Sequence, residues 1–293
     1  MEKILPNAID SIIDQTYKNW EMIIVDDGST DDTLIKLKEI YNKDKKHIKI
    51  LSFSRNFKKE AAMYAGLECS SGKYTCIIDG DLQQNPKYLL EMIDFLDNNK
   101  DYDEVAMIMR NRDKESKIMS FLKKCFYKLI NRLSDTYLEE NASDFRMFRV
   151  SVKKSILSLK EVNRFSKGMF SWIGFKIKYI PYEVERRNSG KSSFGFVNSL
   201  KYAFDGIVDF SIKPLRVSIL FGILSIIMAF IYLILKIRNI QIENIIIILL
   251  LLISGFQFIL IGIIGIYIGN IQSEVKNRPI YIIKEKIGFK EEL

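Results

Sequence analysis

The sequence of 293 residues contains a single histidine, His47. It lies among lysines, which is typical of a solvated loop residue. One histidine in such a place excludes a histidine-dependent catalytic triad and most histidine-rich metal centres. The carboxylates are therefore the first candidates for the chemistry of this chain.

Cysteine is scarce as well. The three cysteines have neither metal-ligand nor disulfide spacing, so we expect reduced, partly buried thiols. The net charge is +8, and the basic residues are concentrated in the membrane-proximal segments. No nucleic-acid motif accompanies them. Anionic lipid headgroups are therefore the expected partner of this charge, and nucleic acid is not.

Charge is missing from two long stretches in the last third of the chain. Residues 215–235 carry only Arg216, near their start, and residues 245–269 carry no charge. At 1.5 Å per residue these segments reach about 30 and 37 Å, enough to cross the hydrocarbon core of a bilayer. Buried helices of a soluble domain are the alternative. The sequence predicts two transmembrane helices.

The connector between these helices, residues 236–244, is short, so the helices form a hairpin and the chain returns to the side from which it came. Basic residues are concentrated at the outer ends, which places both flanking regions in the cytoplasm and the protein in the cell membrane. The N-terminus has the pattern of an amphipathic helix, so no signal peptide is expected.

Two further segments combine an apolar stripe with basic residues. Residues 116–133 and residues 194–213 are predicted to be helices that lie in the membrane interface. For 116–133, a helix that faces the protein core is the alternative. The expected organisation is a head domain at 1–193, the juxtamembrane helix at 194–213, two spans within 214–270 and a cytoplasmic tail at 271–293.

The head alternates strand and helix patterns. Their order is helix 5–13, strand 20–25, helix 32–41, strand 48–53, helix 58–68 and strand 74–78. Short links between alternating elements imply an α/β fold with a parallel or mixed sheet. The ligands of such a sheet lie beyond the carboxyl ends of its strands.

Acidic residues follow two of these strands. Asp26 and Asp27 come after the first, and Asp79 and Asp81 come after the third. Two carboxylates one residue apart at the end of a strand suit a hard divalent cation that bridges a diphosphate. An acidic turn without a ligand is the alternative, because an Asp-x-Asp triplet occurs by chance in many proteins.

Five motifs in order carry a family resemblance. They are Val-Asp-Asp-Gly-Ser-Thr-Asp at 25–31, Phe-Ser-Arg-Asn-Phe at 53–57, Ile-Asp-Gly-Asp-Leu-Gln at 78–83, Ser-Asp-Phe-Arg at 143–146 and Arg-x-x-Gly-x-Ser at 187–192. With the two-helix anchor, they resemble the GT-A fold glycosyltransferases of family 2 that charge a polyprenyl phosphate with a sugar. Within this group the chain is similar to bactoprenol-phosphate glucosyltransferases and dolichol-phosphate mannose synthases.

The resemblance implies roles for the carboxylates and their neighbours. The implied ligands of the nucleotide-sugar donor are Asp26, Asp27, Arg55, Asn56 and Asp79. The implied ligands of a metal ion, Mg²⁺ or Mn²⁺, are Asp79, Asp81 and Gln83. The metal would neutralise the charge of the departing nucleoside diphosphate.

The implied catalytic carboxylates are Asp81 and Asp144. Asp144 matches the position usually assigned as the catalytic carboxylate. Because the acceptor phosphate is already ionised near neutral pH, it needs positioning more than deprotonation. Asp144 is therefore expected to orient the acceptor or balance charge as much as to act as a base.

Arginines are the candidates for binding the acceptor phosphate, because a guanidinium group can bind two of its oxygens. The candidates are Arg110, Arg112, Arg132, Arg146 and Arg187, of which Arg110, Arg146 and Arg187 rank first. Lys191 and Ser192 belong to a segment that is expected to close over the donor as a mobile loop. An ordinary polar loop is the alternative.

The chain departs from the family's pattern in two places. Lys58 stands where relatives usually carry glycine, so we expect the backbone to turn differently there. Relatives also begin with an apolar strand that lines the nucleotide pocket, and this chain opens after it. That first strand, missing from this chain, would lie between the strands that end at Asp26 and Asp79. Because the downstream motifs are intact, a misassigned start is favoured over a decayed copy.

The sequence thus predicts an inverting glycosyltransferase that moves a hexose from a UDP- or GDP-sugar to polyprenyl (undecaprenyl) phosphate at the cytoplasmic membrane face. Its product would serve cell-wall or surface glycans. Transfer to another lipid or glycan, and an inert membrane scaffold, are the alternatives. Glycines in the second span permit close helix contact, either in a homo-oligomer or within the hairpin. They are Gly255, Gly262, Gly265 and Gly269.

Overall fold

The computed structural model describes residues 9, 12, 17–80, 83–110, 127–128, 131–132, 137–183, 224, 227–228, 230–231 and 243–289. The predicted helix at 194–213 lies outside the described residues. So do most of the helices predicted at 5–13 and 116–133 and most of the first span at 215–235.

Strands and helices alternate through the head, as the sequence predicts. In chain order they are β1 (Met22–Asp26), α1 (Thr33–Lys43), β2 (Ile48–Phe53), α2 (Lys58–Cys69), β3 (Tyr74–Ile77), α3 (Tyr88–Asn98), β4 (Glu104–Met109), β5 (Ala142–Arg149), α4 (Val150–Ser158), α5 (Ser166–Trp172), β6 (Ile177–Tyr182), α6 (Glu243–Val275) and β7 (Ile283–Ile287). The elements predicted between residues 20 and 78 are confirmed, with ends shifted by one or two residues.

The strands form two mixed sheets, with the orders β1-β2-β7 and β3-β5-β4-β6. The pairs β1/β2 and β4/β6 are parallel, whereas β2/β7, β3/β5 and β4/β5 are antiparallel. The α/β class is therefore confirmed, and of the parallel or mixed sheet that was expected the structure has the mixed form, divided into two sheets. The alternation before residue 78 gives no sign that β5 returns antiparallel between β3 and β4.

The central strand β2 shows why the first sheet is stable. Its six residues are buried at five positions, so both of its faces are covered. Ile48 and Ile50 pack in the cluster of α1, whereas Leu51 and Phe53 pack in the cluster of α2. This alternation follows from the two-residue period of a strand.

Helix α2 joins the two sheets. Among the described strands, β1 pairs only with β2 and β3 pairs only with β5, and the strand expected between β1 and β3 is not among them. At Gly66 in α2, a Cβ atom would lie 3.6 Å from Val25 of β1. The next residue, Leu67, packs with Ile77 of β3 and Phe148 of β5.

Helix α6 covers the second predicted span. Within the described residues, one helical stretch, Ile253–Val275, is long and apolar enough to cross a membrane, and none of it is buried in the protein. The two-helix hairpin is not confirmed, because most of the first span is outside the described residues. At Gly255, Gly262, Gly265 and Gly269, an added Cβ atom would meet nothing within 4 Å.

The residues after α6 return to the head, although the sequence assigned them to a separate tail. Strand β7 pairs with β2, and Tyr281 stacks on Phe53 with 5.0 Å between ring centroids. At the end of α6, the carboxylate of Glu274 accepts the backbone N–H of Val162 at 2.8 Å. The head is thus tied to α6 at two places.

We expect the alternation along β7 to decide the effect of substitutions there. Ile287 packs against the core cluster of α1, whereas Lys284 is exposed. Ile287→Ala should lower the stability by about 2 kcal/mol, because it leaves a partly filled space in the core. Thermal unfolding of the full chain in detergent should show this loss, with Lys284→Ala within about 0.5 kcal/mol of the parent. Equal effects would mean that β7 is not packed on the sheet.

Candidate active site

The two carboxylates of the first acidic pair, Asp26 and Asp27, make different contacts. Asp26 is buried, with 4% of its surface exposed. Its carboxylate accepts the backbone N–H of Ser29 at 3.2 Å and the hydroxyl of Ser52 at 2.8 Å. Asp26 therefore ties the turn after β1 to the end of β2.

Asp27 is half-buried and faces the loop after β2. Its carboxylate accepts the backbone N–H of Phe57 at 2.6 Å. Burial raises the pKa of Asp27, and hydrogen bonds from the backbone N–H groups of Phe57 and Lys58 partly offset this rise. The two predicted donor-binding segments are thus held together by Asp27.

Gly28 allows these segments to approach so closely. Its φ is +68°, and a Cβ atom there would lie 2.3 Å from the carbonyl carbon of Arg55. A side chain would therefore collide with backbone. Arg55 itself is exposed, with its guanidinium 4.1 Å from the centroid of the Phe57 ring, and the side-chain oxygen of Asn56 accepts the N–H of Lys58 at 3.1 Å.

Lys58 adopts a conformation that suits glycine. Its φ is +75°, in the left-handed region. The expectation of a different turn at this position is therefore corrected: the lysine is accommodated in a turn of the glycine type.

Asp79 is held at the end of β3 by a glutamine that the sequence analysis did not single out. The Gln84 side chain accepts the N–H of Asp79 at 2.8 Å and donates to its Oδ2 at 3.0 Å. The same amide nitrogen lies 3.5 Å from the hydroxyl of Ser143. Gln84 thus fixes the orientation of the Asp79 carboxylate next to β5.

Lys59 joins the two carboxylates of the site. Its Nζ lies 2.8 Å from Oδ1 and 3.1 Å from Oδ2 of Asp79, and 2.8 Å from Oδ2 of Asp144. Burial by itself would lower the pKa of Lys59, but the carboxylates of Asp144 and Asp79 outweigh it and raise the pKa. The ammonium of Lys59 therefore lies between these two acidic groups.

Asp144 lies in β5, in a region of positive charge. Burial by itself would raise its pKa, but the ammonium groups of Lys59 and Lys167 outweigh burial and hold the pKa of Asp144 below its usual range. Lys167, in the first turn of α5, has a pKa lowered by burial, which Asp144 partly offsets. Asp144 is thus a carboxylate that remains ionised at neutral pH.

Arg146 does not lie open to an acceptor. Its guanidinium is buried and donates to Oε1 of Glu104 at 2.8 Å and to the backbone carbonyl of Ser143 at 3.2 Å. The phosphate-binding role expected for Arg146 is therefore not the role that this geometry supports. Its contacts instead support the segment that carries Asp144.

The other predicted acceptor residues are spread differently. Arg110 is exposed at the end of β4, where its N–H donates to the carbonyl of Tyr182 at 2.9 Å. Arg132 is exposed in a helical segment. Arg112, Arg187, Lys191 and Ser192 lie outside the described residues, and so does Asp81. Their roles stay predictions.

Lys59, Gln84, Glu104 and Lys167 are the site residues that sequence reasoning missed. Gln84 directly follows the motif at 78–83 and Lys59 lies two residues after the motif at 53–57, so proximity to a motif offered a signal for both. Glu104 and Lys167 lie in an ordinary strand and an ordinary helix, with no local signal.

The described residues can be tested against the metal that the resemblance implies. Among them, no group of three or more His, Cys, Asp or Glu side chains is placed to hold a metal ion. Asp79 and Asp144 nevertheless converge on one positive charge, and the amide of Gln83 follows Asp79 closely in the chain. Oxygen ligands of this kind fit a hard divalent cation.

Known proteins are similar to this chain over most of its length. Residues 2–157 match the family model described as Glycosyl transferase family 2. The putative glycosyltransferase CsbB of Bacillus subtilis (strain 168) is 38% identical over 291 residues, which cover 97% of this chain and 87% of the relative. The bactoprenol glucosyl transferase of Shigella phage SfII is 34% identical over 272 residues, covering 90% and 87%.

A solved structure also aligns with a large part of this chain. Glucosyl-3-phosphoglycerate synthase from Mycobacterium tuberculosis, in complex with Mn²⁺, UDP-glucose and phosphoglyceric acid, matches 71% of this chain and 73% of its own. The TM-score is 0.48 and the sequence identity is 18%.

The family match covers more than half of the chain and includes both acidic segments and β5. Together with the mixed α/β domain, it defines a glycosyltransferase with a GT-A-like fold. The chain belongs to glycosyl transferase family 2.

The left-handed backbone at Lys58 gives a stability prediction. Lys58→Gly should stabilise the protein by about 1 kcal/mol, because glycine adopts this φ without strain. Lys154→Gly is the matched control: Lys154 is exposed in the interior of α4, where glycine should cost about 1 kcal/mol. Thermal unfolding should shift in opposite directions for the two variants, and a loss in both would contradict the prediction.

Glu104 gives a pH prediction. Burial raises its pKa from 4.5 to about 7, although Arg146 opposes this rise. The folded state therefore binds more protons than the unfolded chain between these values, and the stability from this group falls as the pH rises through that window. Relative to Glu104→Gln, the parent should lose up to about 3 kcal/mol between pH 4.5 and 7.

Unfolding temperatures of both proteins at pH 5, 6, 7 and 8 would measure this difference. Glu91→Gln, at an exposed position in α3, is the control and should show no such trend. A parent that gains stability relative to Glu104→Gln as the pH rises would show that the folded pKa lies below 4.5.

Proposed function

We propose that this glycosyltransferase moves a hexose from a nucleotide sugar to polyprenyl phosphate at the cytoplasmic face of the membrane. The observation that carries the proposal is that Asp79 and Asp144 both contact the ammonium of Lys59, next to the loop after β2. The names of relatives such as the bactoprenol glucosyl transferase of phage SfII support this choice of acceptor.

The donor would lie where the turn after β1 meets the loop after β2. Asp27 and Asn56 fix the shape of this loop through backbone N–H groups, and Arg55 is exposed next to it. The backbone N–H of Phe57 donates to the carboxylate of Asp27, and the ammonium of Lys59, two residues later, contacts Asp79. The nucleoside and the diphosphate would therefore occupy neighbouring parts of one site.

The residues that would hold a divalent cation are Asp79, Asp81 and Gln83. The cation, when bound, supplies positive charge to the leaving diphosphate. Gln84 keeps the Asp79 carboxylate oriented for this purpose through its two hydrogen bonds.

The transfer itself would be a single displacement with inversion. An ionised oxygen of the acceptor phosphate forms a bond to the anomeric carbon. The bond from that carbon to the donor diphosphate breaks, and its electron pair leaves with the nucleoside diphosphate. Because the attacking oxygen carries no proton, no base is required. Asp144 would keep Lys59 and Lys167 in place to face the anionic reactants.

The arrangement of α6 and β7 would bring this site close to a lipid acceptor. Helix α6 supplies the stretch that suits a membrane, and β7 connects it to the first sheet within a few residues. The exposed Arg110, together with Arg112, Arg132, Arg187, Lys191 and Ser192, is proposed to contact the acceptor phosphate or to close over the donor.

A transfer assay tests the proposed function. The full chain in nanodiscs is supplied with Mg²⁺ or Mn²⁺, undecaprenyl phosphate and one of a panel of radiolabelled UDP- and GDP-sugars. We expect label in the lipid phase from one donor. Asp144→Asn should reduce the rate by about 10²-fold or more, because Lys59 and Lys167 lose the Asp144 charge that helps to hold them.

Asp94→Asn, an exposed substitution in α3, is the matched control and should leave the rate unchanged. A second set of discs contains diacylglycerol in place of the polyprenyl phosphate. Label only in that set would replace the proposed acceptor with another lipid. No transfer from any donor in either set would reject the proposal.

A further inference from the structure

Lys59 occupies the side of Asp79 that a cation would need. Its ammonium contacts both carboxylate oxygens of Asp79, at 2.8 and 3.1 Å, and Gln84 donates to Oδ2 from another direction. A divalent metal ion binds a carboxylate oxygen at about 2.0–2.4 Å. The ammonium and a metal ion on the same carboxylate face would overlap or strongly repel each other.

The lysine has room to move. Its side chain is 45% exposed, and it rests on a flexible four-carbon stem. It also has a second partner, because Asp144 lies 2.8 Å from the same nitrogen and is only 19% exposed. Loss of one contact would therefore leave the ammonium paired.

We propose that Lys59 is a positioning residue that competes with the divalent cation for Asp79. Binding of the cation exchanges the Lys59–Asp79 ion pair for a metal–Asp79 bond, and Lys59 remains with Asp144. Lys59 thereby weakens cation binding in the absence of donor and keeps Asp79 and Asp144 together until the cation arrives. This inference rests on the proposed function, in which Asp79 is a metal ligand.

The test measures Mn²⁺ binding directly, by the electron paramagnetic resonance signal of free Mn²⁺ with the full chain in nanodiscs of zwitterionic lipid, without nucleotide. Lys59→Met removes the ammonium and keeps a side chain of similar length. We expect it to bind Mn²⁺ about 10-fold more tightly than the parent, because a repelling charge next to the site is gone.

Two lysine variants separate this effect from a general change of charge. Lys58→Met removes the same charge one residue away, at an exposed position, and should stay within about 3-fold of the parent, since salt screens it. Lys59→Arg keeps the charge and should also remain within about 3-fold. Unfolding temperatures confirm that each variant is folded.

Mn²⁺ affinity in Lys59→Met that equals or falls below that of the parent would overturn the inference. So would tight binding that persists in the double variant Lys59→Met/Asp79→Asn, because the cation would then not bind at Asp79. The transfer assay is independent of this measurement. If the parent transfers sugar normally and Lys59→Met binds Mn²⁺ no more tightly than the parent, only the role of Lys59 is rejected. If Lys59→Met binds Mn²⁺ more tightly but the parent transfers no sugar, only the proposed function is rejected.

Discussion

One ion-pair bridge holds the site together: the ammonium of Lys59 between Asp79 and Asp144. Lys59 comes from α2, Asp79 from the end of β3 and Asp144 from β5. Without the Lys59 ammonium, the two carboxylates would face each other at short range. Like charges at that distance repel strongly where water is partly excluded. The position of α2 across the two sheets is therefore coupled to the charge balance of the site.

The same need for compensation continues beneath the site. Glu104 and Arg146 form a fully buried pair, and removal of either partner would leave an unpaired charge in the protein interior. Arg146 also bonds the carbonyl of Ser143, the residue before Asp144. The buried pair thus supports the strand from which Asp144 projects, and the positive charge of Lys167 completes the surroundings of that carboxylate.

The connection between the head and the apolar helix α6 limits how the two can move relative to each other. Helix α6 ends at Val275, next to the contact between Glu274 and Val162, and β7 then joins the first sheet beside β2. A flexible tail would let the head rotate freely about the end of the helix. Because the chain is instead fixed at both ends of a short link, the orientation of the head relative to α6 is restricted. Such a restriction suits the lipid acceptor that we propose.

The sequence by itself determined the alternation of elements around β1, β2 and β3, because apolar periodicity and strand-end carboxylates are local signals. It also located the acidic residues Asp27, Asp79 and Asp144. Only the tertiary structure decided that β5 runs antiparallel between β3 and β4, that β7 completes the first sheet, and that Arg146 is buried against Glu104. It also placed Lys59 between carboxylates 20 and 85 residues away in the chain. Pairings of this kind depend on long-range packing, and no local pattern in a single sequence encodes them.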